Sequence, residues 1–148
     1  MNPLPPDPSP QSVQVLLVDD DPVDLAIVGA EIRAHGCSVR IAENAESAWE
    51  ILQAGGVDIC ISDWSMPGME GIELCRRAKA LRGGGIPYFL LLTGHGDKQL
   101  HLKAIQAGAD DVLQKSWESS ALAARFAAAL RVVALHRRIA ELESQARK

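Results

Sequence analysis

The sequence of 148 residues predicts a doubly wound α/β domain, in which helices cover both faces of a five-stranded parallel sheet. Short β-type runs alternate five times with segments of helical periodicity. Two of these runs, VQVLLV at 13–18 and YFLLL at 88–92, are apolar almost throughout. Continuous apolar strands suit a sheet that is buried on both faces, as parallel sheets are. A chain of this length forms one domain.

The individual elements follow from local signals. The strand candidates are residues 13–18, 37–42, 57–62, 87–92 and 110–114. Pro22 begins the first helix, which ends at His35-Gly36, and Asn44 caps the second, which ends at Gly55-Gly56. The third helix spans about 71–81 and the fourth about 98–106. Because the crossovers are right-handed, helices cover both faces of the sheet, and five such units predict a doubly wound (βα)5 fold. We expect its flavodoxin-like form, in which the strand order is 2-1-3-4-5.

The last helix is longer than this fold requires. It starts near Ser119, its docking portion ends near Leu130, and helical composition continues to Lys148 without glycine or proline. Apolar residues in this helix recur at spacings of 4, 3, 4, 3 and 4, which is the a/d seam typical of a coiled coil. They are Ala128, Val132, Leu135, Ile139, Leu142 and Ala146. A single amphipathic helix lying on the domain explains the pattern equally well. We therefore expect a flexible proline-rich tail over 1–12, the folded domain over 13–130, and a helical linker or coiled-coil stub over 131–148.

The composition excludes several classes of function. The 15 Lys and Arg residues against 19 Asp and Glu residues give a net charge of −4, whereas direct nucleic-acid binding needs a basic face. No apolar stretch approaches the roughly 20 residues that span a bilayer, and five prolines in the first ten residues are unlike a signal peptide. The three cysteines lack the spacing of a zinc site. We expect a cytoplasmic protein that binds neither nucleic acid nor membrane.

Acidic residues follow two of the predicted strands. Asp19, Asp20 and Asp21 come directly after the first strand, and Asp63 comes directly after the third. If these strands are neighbours, Asp19, Asp20 and Asp63 converge at one edge of the sheet. Converging carboxylates repel each other unless a cation lies among them, and oxygen ligands favour Mg²⁺. Taken alone, however, an acidic run before a helix is more often a helix cap than a metal site.

A hydroxyl and an ammonium group occupy two further strand ends. Thr93 follows the fourth strand and Lys115 the fifth. A phosphoryl group carried on a carboxylate needs a metal, a hydroxyl donor and a fixed cation around its oxygens. Each residue alone is an ordinary loop residue. Together with the acidic residues after the first and third strands, they place functional groups at four strand ends of one sheet, which favours phosphoryl chemistry.

Four segments carry this pattern: VLLVDDDP at 15–22, DICISDWSMPGMEGIELCRRAK at 58–79, LLLTGHG at 90–96 and AGADDVLQKS at 107–116. In their order and spacing they resemble the receiver (phosphoacceptor) domain of bacterial two-component response regulators, over about residues 14–130. The resemblance implies that Asp63 accepts a phosphoryl group from a histidine kinase or a histidine phosphotransfer protein in a phosphorelay. It also implies a signalling module that turns over no substrate.

The resemblance assigns the other site residues as well. Asp19 and Asp20 match the acidic pair that holds Mg²⁺, with Asp63 and the backbone carbonyl of Ser65 completing the protein ligands. Thr93 matches the hydroxyl residue that moves toward the phosphoryl group, and Lys115 matches the lysine that pairs with it. The signal is expected on the face formed by the fourth helix, fifth strand and fifth helix. Candidate partners besides the phosphodonor are a C-terminal output domain, a downstream protein, or a second copy bound through the last helix.

Three positions depart from the family. Ser116 replaces the usual proline after the lysine, Val112 replaces a common aromatic residue, and Gly94 replaces the usual alanine after the threonine. The departures at Ser116 and Val112 motivate an alternative, a receiver-like protein-interaction scaffold with weak or no phosphorylation switching. A second alternative is a Mg²⁺-dependent phosphatase, which the spacing of Asp19 and Asp21 allows but for which the chain has no cap-sized insertion.

Overall fold

A computed structural model describes residues 13–81, 86–94, 98–115 and 119–147. The strands form one sheet of order β2-β1-β3-β4-β5, and every neighbouring pair is parallel. The strands are β1 (Gln14–Val18), β2 (Ser38–Ala42), β3 (Ile59–Asp63), β4 (Tyr88–Thr93) and β5 (Asp111–Gln114). The predicted fold class and strand order are confirmed.

Helices lie on both faces of this sheet. They are α1 (Pro22–Ala34), α2 (Ala45–Ala54), α3 (Gly71–Lys79), α4 (Lys98–Gln106) and α5 (Ser119–Ala146). The predicted start signals are confirmed: Pro22 opens α1, and the Asn44 side chain accepts a hydrogen bond from the Ser47 N–H at 2.8 Å. The Asn44 cap satisfies a backbone donor that the first turn of α2 leaves without a partner, and Pro22 stands where the backbone needs no donor.

The strands divide the core into two layers because successive side chains point to opposite faces. Leu16, Cys60 and Phe89 pack with apolar residues of α2, α3 and α4 on one face. On the other face Leu17 and Ile61 pack with residues of α1 and α5. Burial on both sides explains why β1, β3 and β4 are almost continuously apolar.

Two strands extend one residue further than the sequence predicts. Asp63 is the last residue of β3 and lies opposite Leu92, and Thr93 is the last residue of β4 and lies opposite Gln114. Both polar residues were expected to follow their strands. Parallel pairing with one neighbouring strand, β4 for Asp63 and β5 for Thr93, keeps them in the ladder. They are therefore held by the sheet rather than by a loop.

Helix α5 is continuous over 28 residues. Phe126, Ala129 and Val133 are buried against the sheet, and the Arg137 guanidinium reaches Asp58 at the start of β3, with an N–O distance of 2.9 Å. Residues 139–147 are exposed. The predicted tail over 1–12 lies outside the described residues, and the domain boundary at 130 stays a prediction. Among the described helices none is long and apolar enough to cross a membrane.

Gly71, the first residue of α3, lies against the end of β3. Its N–H donates to the Trp64 carbonyl at 2.9 Å. A Cβ atom at this position would overlap with the backbone oxygen of Asp63. Glycine therefore allows α3 to begin in contact with the carboxyl end of the strand, and it fixes the position of the Asp63 backbone.

We predict that Gly71→Ala lowers the free energy of unfolding by about 1–3 kcal/mol, because the added methyl group must push α3 away from β3. Gly94→Ala is the matched control, since no atom lies within 4 Å of a Cβ built there. It should change the unfolding free energy by less than about 0.5 kcal/mol. Urea denaturation of both variants measures the difference, and equal values would contradict the packing described.

Candidate functional site

Asp63 lies in a cleft at the carboxyl edge of the sheet. The cleft has a volume of about 370 Å³. The Asp63 residue is only 9% exposed, so its carboxylate is reached through this opening. The remaining lining residues are Trp64, Ser65, Glu70, Thr93, Gly94, Leu100 and Lys115. The cleft therefore brings together the ends of β3, β4 and β5, as the strand order requires.

Asp19 and Asp20 approach Asp63 from the end of β1. One carboxylate oxygen from each of the three residues lies within 4.8 Å of the others. Asp19 is buried, whereas Asp20 is exposed. Backbone hydrogen bonds fix Asp19: its N–H donates to the Ala42 carbonyl at 3.2 Å, and its Oδ1 accepts from the Asp21 N–H at 3.0 Å.

The surroundings of Asp19 disfavour its negative charge when no cation is bound. Burial raises the pKa of the Asp19 carboxyl above its usual range, and the nearby charge of Asp63 adds to this effect. The Asp21 N–H and the Lys115 ammonium act in the opposite direction without cancelling it. An additional cation among these carboxylates would relieve the repulsion.

Lys115 contacts three carboxylates at once. Its Nζ lies 2.8 Å from Asp24 Oδ2, 3.1 Å from Asp63 Oδ1 and 3.3 Å from Asp19 Oδ2. Burial alone would lower the pKa of Lys115, but the hydrogen bonds to Asp24 and Asp63 and the surrounding negative charge raise it above its usual value. The ammonium is therefore a permanent positive charge in the cleft.

The backbone also positions Lys115. Its N–H donates to the Thr93 carbonyl at 2.7 Å, which ties the end of β5 to the end of β4. Thr93 itself is buried. On the other side of Asp63 the Trp64 N–H donates to the Leu92 carbonyl at 2.8 Å, which continues the β3–β4 ladder past the acidic residue. Backbone hydrogen bonds thus hold the carboxyl ends of β3, β4 and β5 together at the cleft.

Asp24 is a member of this charge cluster that the sequence did not reveal. It lies in the first turn of α1, and its side chain is partly buried next to Lys115. An acidic residue in a first helical turn is ordinary, because it interacts favourably with the helix dipole. Its position in the chain did not predict a contact with Lys115, which lies 91 residues away.

The donor set fits a hard divalent cation. The Asp19, Asp20 and Asp63 carboxylates supply only oxygen ligands, and Ser65, whose backbone carbonyl was predicted to join them, lines the same cleft. Mg²⁺ prefers oxygen ligands and commonly takes one or two carboxylates while it keeps several waters. The exposure of Asp20 leaves room for such waters on its side.

The departures from the family are only partly visible. Val112 is buried in the core layer that contains Ala104 of α4. Gly94 is exposed at the cleft and has open space around it. Ser116 lies outside the described residues.

Comparison with known proteins agrees with this geometry. The response regulator receiver domain family matches residues 15–127. The transcriptional regulatory protein FixJ of Bradyrhizobium diazoefficiens is 32% identical over 118 residues, which are 79% of this chain and 56% of FixJ. The chain spans about half or less of other curated relatives that it matches. Those relatives therefore contain further regions outside the match.

Solved structures show the same fold. A response regulator structure from Chloroflexus aurantiacus matches with a TM-score of 0.75 at 30% identity, covering 80% of this chain and 98% of that one. The receiver domain of Ssk1 from Saccharomyces cerevisiae, crystallised with the histidine phosphotransfer protein Ypd1, matches with a TM-score of 0.66 at 26% identity, covering 74% of this chain and 83% of that one. The acidic cleft on a parallel sheet of order 2-1-3-4-5 and the family match over 15–127 together place this chain in the response regulator receiver domain family of two-component signalling.

Proposed function

We propose that this chain accepts a phosphoryl group on Asp63 in a Mg²⁺-dependent phosphorelay and signals by a change of its α4–β5–α5 face. The observation that carries the proposal is the Asp63 carboxylate in an open cleft, 3.1 Å from a permanently charged lysine and beside Asp19 and Asp20. The family as a whole consists of signalling modules, and we expect no turnover of a separate substrate.

The proposed reaction is a phosphoryl transfer to a carboxylate. An Asp63 oxygen attacks the phosphorus atom of a phosphohistidine on a histidine kinase or histidine phosphotransfer protein. The P–N bond breaks, its electron pair stays on the imidazole, and an acyl phosphate forms on Asp63. Hydrolysis later returns the aspartate and inorganic phosphate. The co-crystal of the Ssk1 receiver with Ypd1 supports a partner of this class.

The residues of the cleft have separate roles in this proposal. Asp19, Asp20, Asp63 and the Ser65 carbonyl would hold Mg²⁺, which when bound neutralises negative charge on the phosphoryl oxygens. Lys115 offers a fixed positive charge on the other side of Asp63. Thr93 offers its hydroxyl to a third phosphoryl oxygen.

The switching face is proposed because it is connected directly to the cleft. Thr93 and Lys115 lie at the ends of β4 and β5 and share a backbone hydrogen bond, so a shift of one side chain acts on both strands. On the neighbouring α4, Leu102 is 56% exposed and Ile105 is 63% exposed. Exposed apolar side chains on a helix next to the site are suited to a partner surface.

Val112 favours the alternative of a protein-interaction scaffold. It is buried on β5 at the position where the family commonly has an aromatic residue, so no ring at this position can couple to Thr93. The charge cluster argues against a pure scaffold, since converging carboxylates are unfavourable without a cation to bind.

Helix α5 provides a second surface, and we propose that it pairs with a second copy of this chain. Leu135, Ile139 and Leu142 lie on the a/d seam and are 62%, 53% and 48% exposed. In a parallel coiled coil, Arg138 at a g position faces Glu143 of the second copy at an e position. Opposite charges meet at this site, whereas an antiparallel pairing would not bring these two residues together. A downstream protein or a C-terminal output domain is the other candidate occupant.

The first prediction concerns the phosphoryl acceptor. Acetyl phosphate with Mg²⁺ should add one phosphoryl mass to the wild-type protein, as measured by intact mass spectrometry, and no adduct should form on Asp63→Asn. Asp21→Asn is the control, because Asp21 only caps α1 through the Val23 N–H. Absence of an adduct on wild type, together with no response to beryllofluoride, would favour the scaffold.

The second prediction concerns the metal. Trp64 follows Asp63 and lines the cleft, so Mg²⁺ should change tryptophan emission, and Trp64→Phe should remove most of this change. Asp20→Asn should weaken Mg²⁺ binding by about tenfold or more, because a charged ligand is lost. Asp21→Asn should leave the affinity within about threefold, since its carboxylate caps a helix. Equal effects of the two variants would exclude the proposed ligand set.

The third prediction concerns the seam. Sedimentation equilibrium should show a dimer that Ile139→Glu dissociates, whereas Ile105→Glu, at an exposed apolar residue of α4, leaves it intact. Arg138→Glu should weaken the dimer by placing like charges together, and adding Glu143→Arg should restore it. A monomer at every concentration, or no restoration by the charge swap, would exclude this pairing.

A further inference from the structure

The Asp24 carboxylate lies closer to the Lys115 ammonium than the carboxylates of Asp19 and Asp63 do. The Nζ–Oδ2 distance is 2.8 Å, against 3.1 Å to Asp63 and 3.3 Å to Asp19. The side chains of Asp24 and Lys115 are 13% and 14% exposed. Solvent therefore screens this ion pair less than it screens a surface pair.

The first turn of α1 does not need the Asp24 carboxylate. Asp24 is the third residue of α1, and an acidic side chain there commonly accepts the N–H of the N-cap residue. In this protein the N-cap is Asp21, and its N–H donates to Asp19 Oδ1 at 3.0 Å. The Asp21 side chain in turn accepts the Val23 N–H at 2.8 Å. The cap is thus completed by other groups, and the Asp24 carboxylate is directed to Lys115.

The hydrogen-bonding capacity of Lys115 is limited. An ammonium group has three N–H donors, and three carboxylates surround it here. A phosphoryl oxygen can gain Lys115 only if one of these contacts weakens. Phosphorylation removes the negative charge of the Asp63 carboxylate, and Asp19 belongs to the proposed metal ligands. Asp24 belongs to neither group, so neither phosphorylation nor metal binding takes its carboxylate away from Lys115.

We propose that Asp24 is a positioning residue that competes with the phosphoryl group for Lys115 and thereby weakens the hold of the site on that group. This inference rests on the proposed function, because it requires a phosphoryl group on Asp63. It assigns a role in the phosphorylated state to α1, whose apolar residues otherwise pack on one face of the sheet.

Beryllofluoride, a phosphoryl mimic, tests the competition at saturating Mg²⁺. The dissociation constant is measured by titration calorimetry for wild type and for Asp24→Asn. We expect Asp24→Asn to bind beryllofluoride about tenfold more tightly, the factor that corresponds to 1.4 kcal/mol. Asp24→Ala is a second variant with the same expected direction, and urea unfolding without metal shows that each variant is folded.

Two controls separate positioning from a general effect of charge. Asp21→Asn removes one negative charge from the same end of α1, and asparagine caps a helix as well as aspartate does. It should change beryllofluoride affinity less than twofold. In a Lys115→Met background Asp24→Asn should have no effect, because the residue through which Asp24 acts is gone.

The possible outcomes are distinct. Tighter binding that requires Lys115 supports the inference. An equal effect of Asp21→Asn, an effect that persists in Lys115→Met, or weaker binding by Asp24→Asn would overturn it while the proposed function stands. If wild type shows neither beryllofluoride binding nor a phosphoryl adduct, the proposed function fails, and the role of Asp24 fails with it.

Discussion

The site depends on one lysine that contacts carboxylates from three parts of the chain. Lys115 follows β5, Asp63 ends β3, Asp19 follows β1, and Asp24 lies in α1. Partly buried carboxylates at these distances repel each other, and the ammonium reduces the repulsion. A buried charge that loses its partner is strongly destabilising. The ends of β1, β3 and β5 and the start of α1 are therefore coupled electrostatically.

The parallel sheet supplies the rigidity that this arrangement needs. β3 is the central strand, with β1 and β4 on either side of it, and its residues are buried. Asp63 and Thr93 remain in the ladder instead of extending into loops. The absence of a side chain at Gly71 lets α3 begin directly against the Asp63 backbone. The position of the Asp63 carboxylate is thus set from the sheet and from α3.

The two ends of β3 serve different purposes. Asp63 at its carboxyl end lies in the cleft, whereas Asp58 precedes its amino end and accepts hydrogen bonds from the Gln14 N–H and the Arg137 side chain. The Arg137 contact holds α5 against the far edge of the sheet, and beyond it the helix is exposed. The free part of α5 therefore leaves the domain on the side opposite the cleft. A partner bound there would not block access to the cleft.

The sequence alone determined the fold class, the strand order and the acidic edge. Alternating apolar runs and helix caps are local signals, and Asn44 and Pro22 act as their chemistry indicates. The location of four charged residues at one edge of the sheet was predictable because each of them follows or ends a recognisable strand. These residues are Asp19, Asp20, Asp63 and Lys115. The roles expected of them in phosphoryl and metal binding came from the family's motifs.

Only the tertiary structure decided how these charges pair. Asp24 and Lys115 lie 91 residues apart, and no periodicity relates a first-turn carboxylate of α1 to the end of β5. The same holds for Arg137 and Asp58, which lie 79 residues apart. Local patterns report which face of an element is buried, because burial follows the period of the helix or strand. The choice of ion-pair partner depends on distances of a few ångströms between separate elements, and these distances are fixed only when the two layers of the core pack.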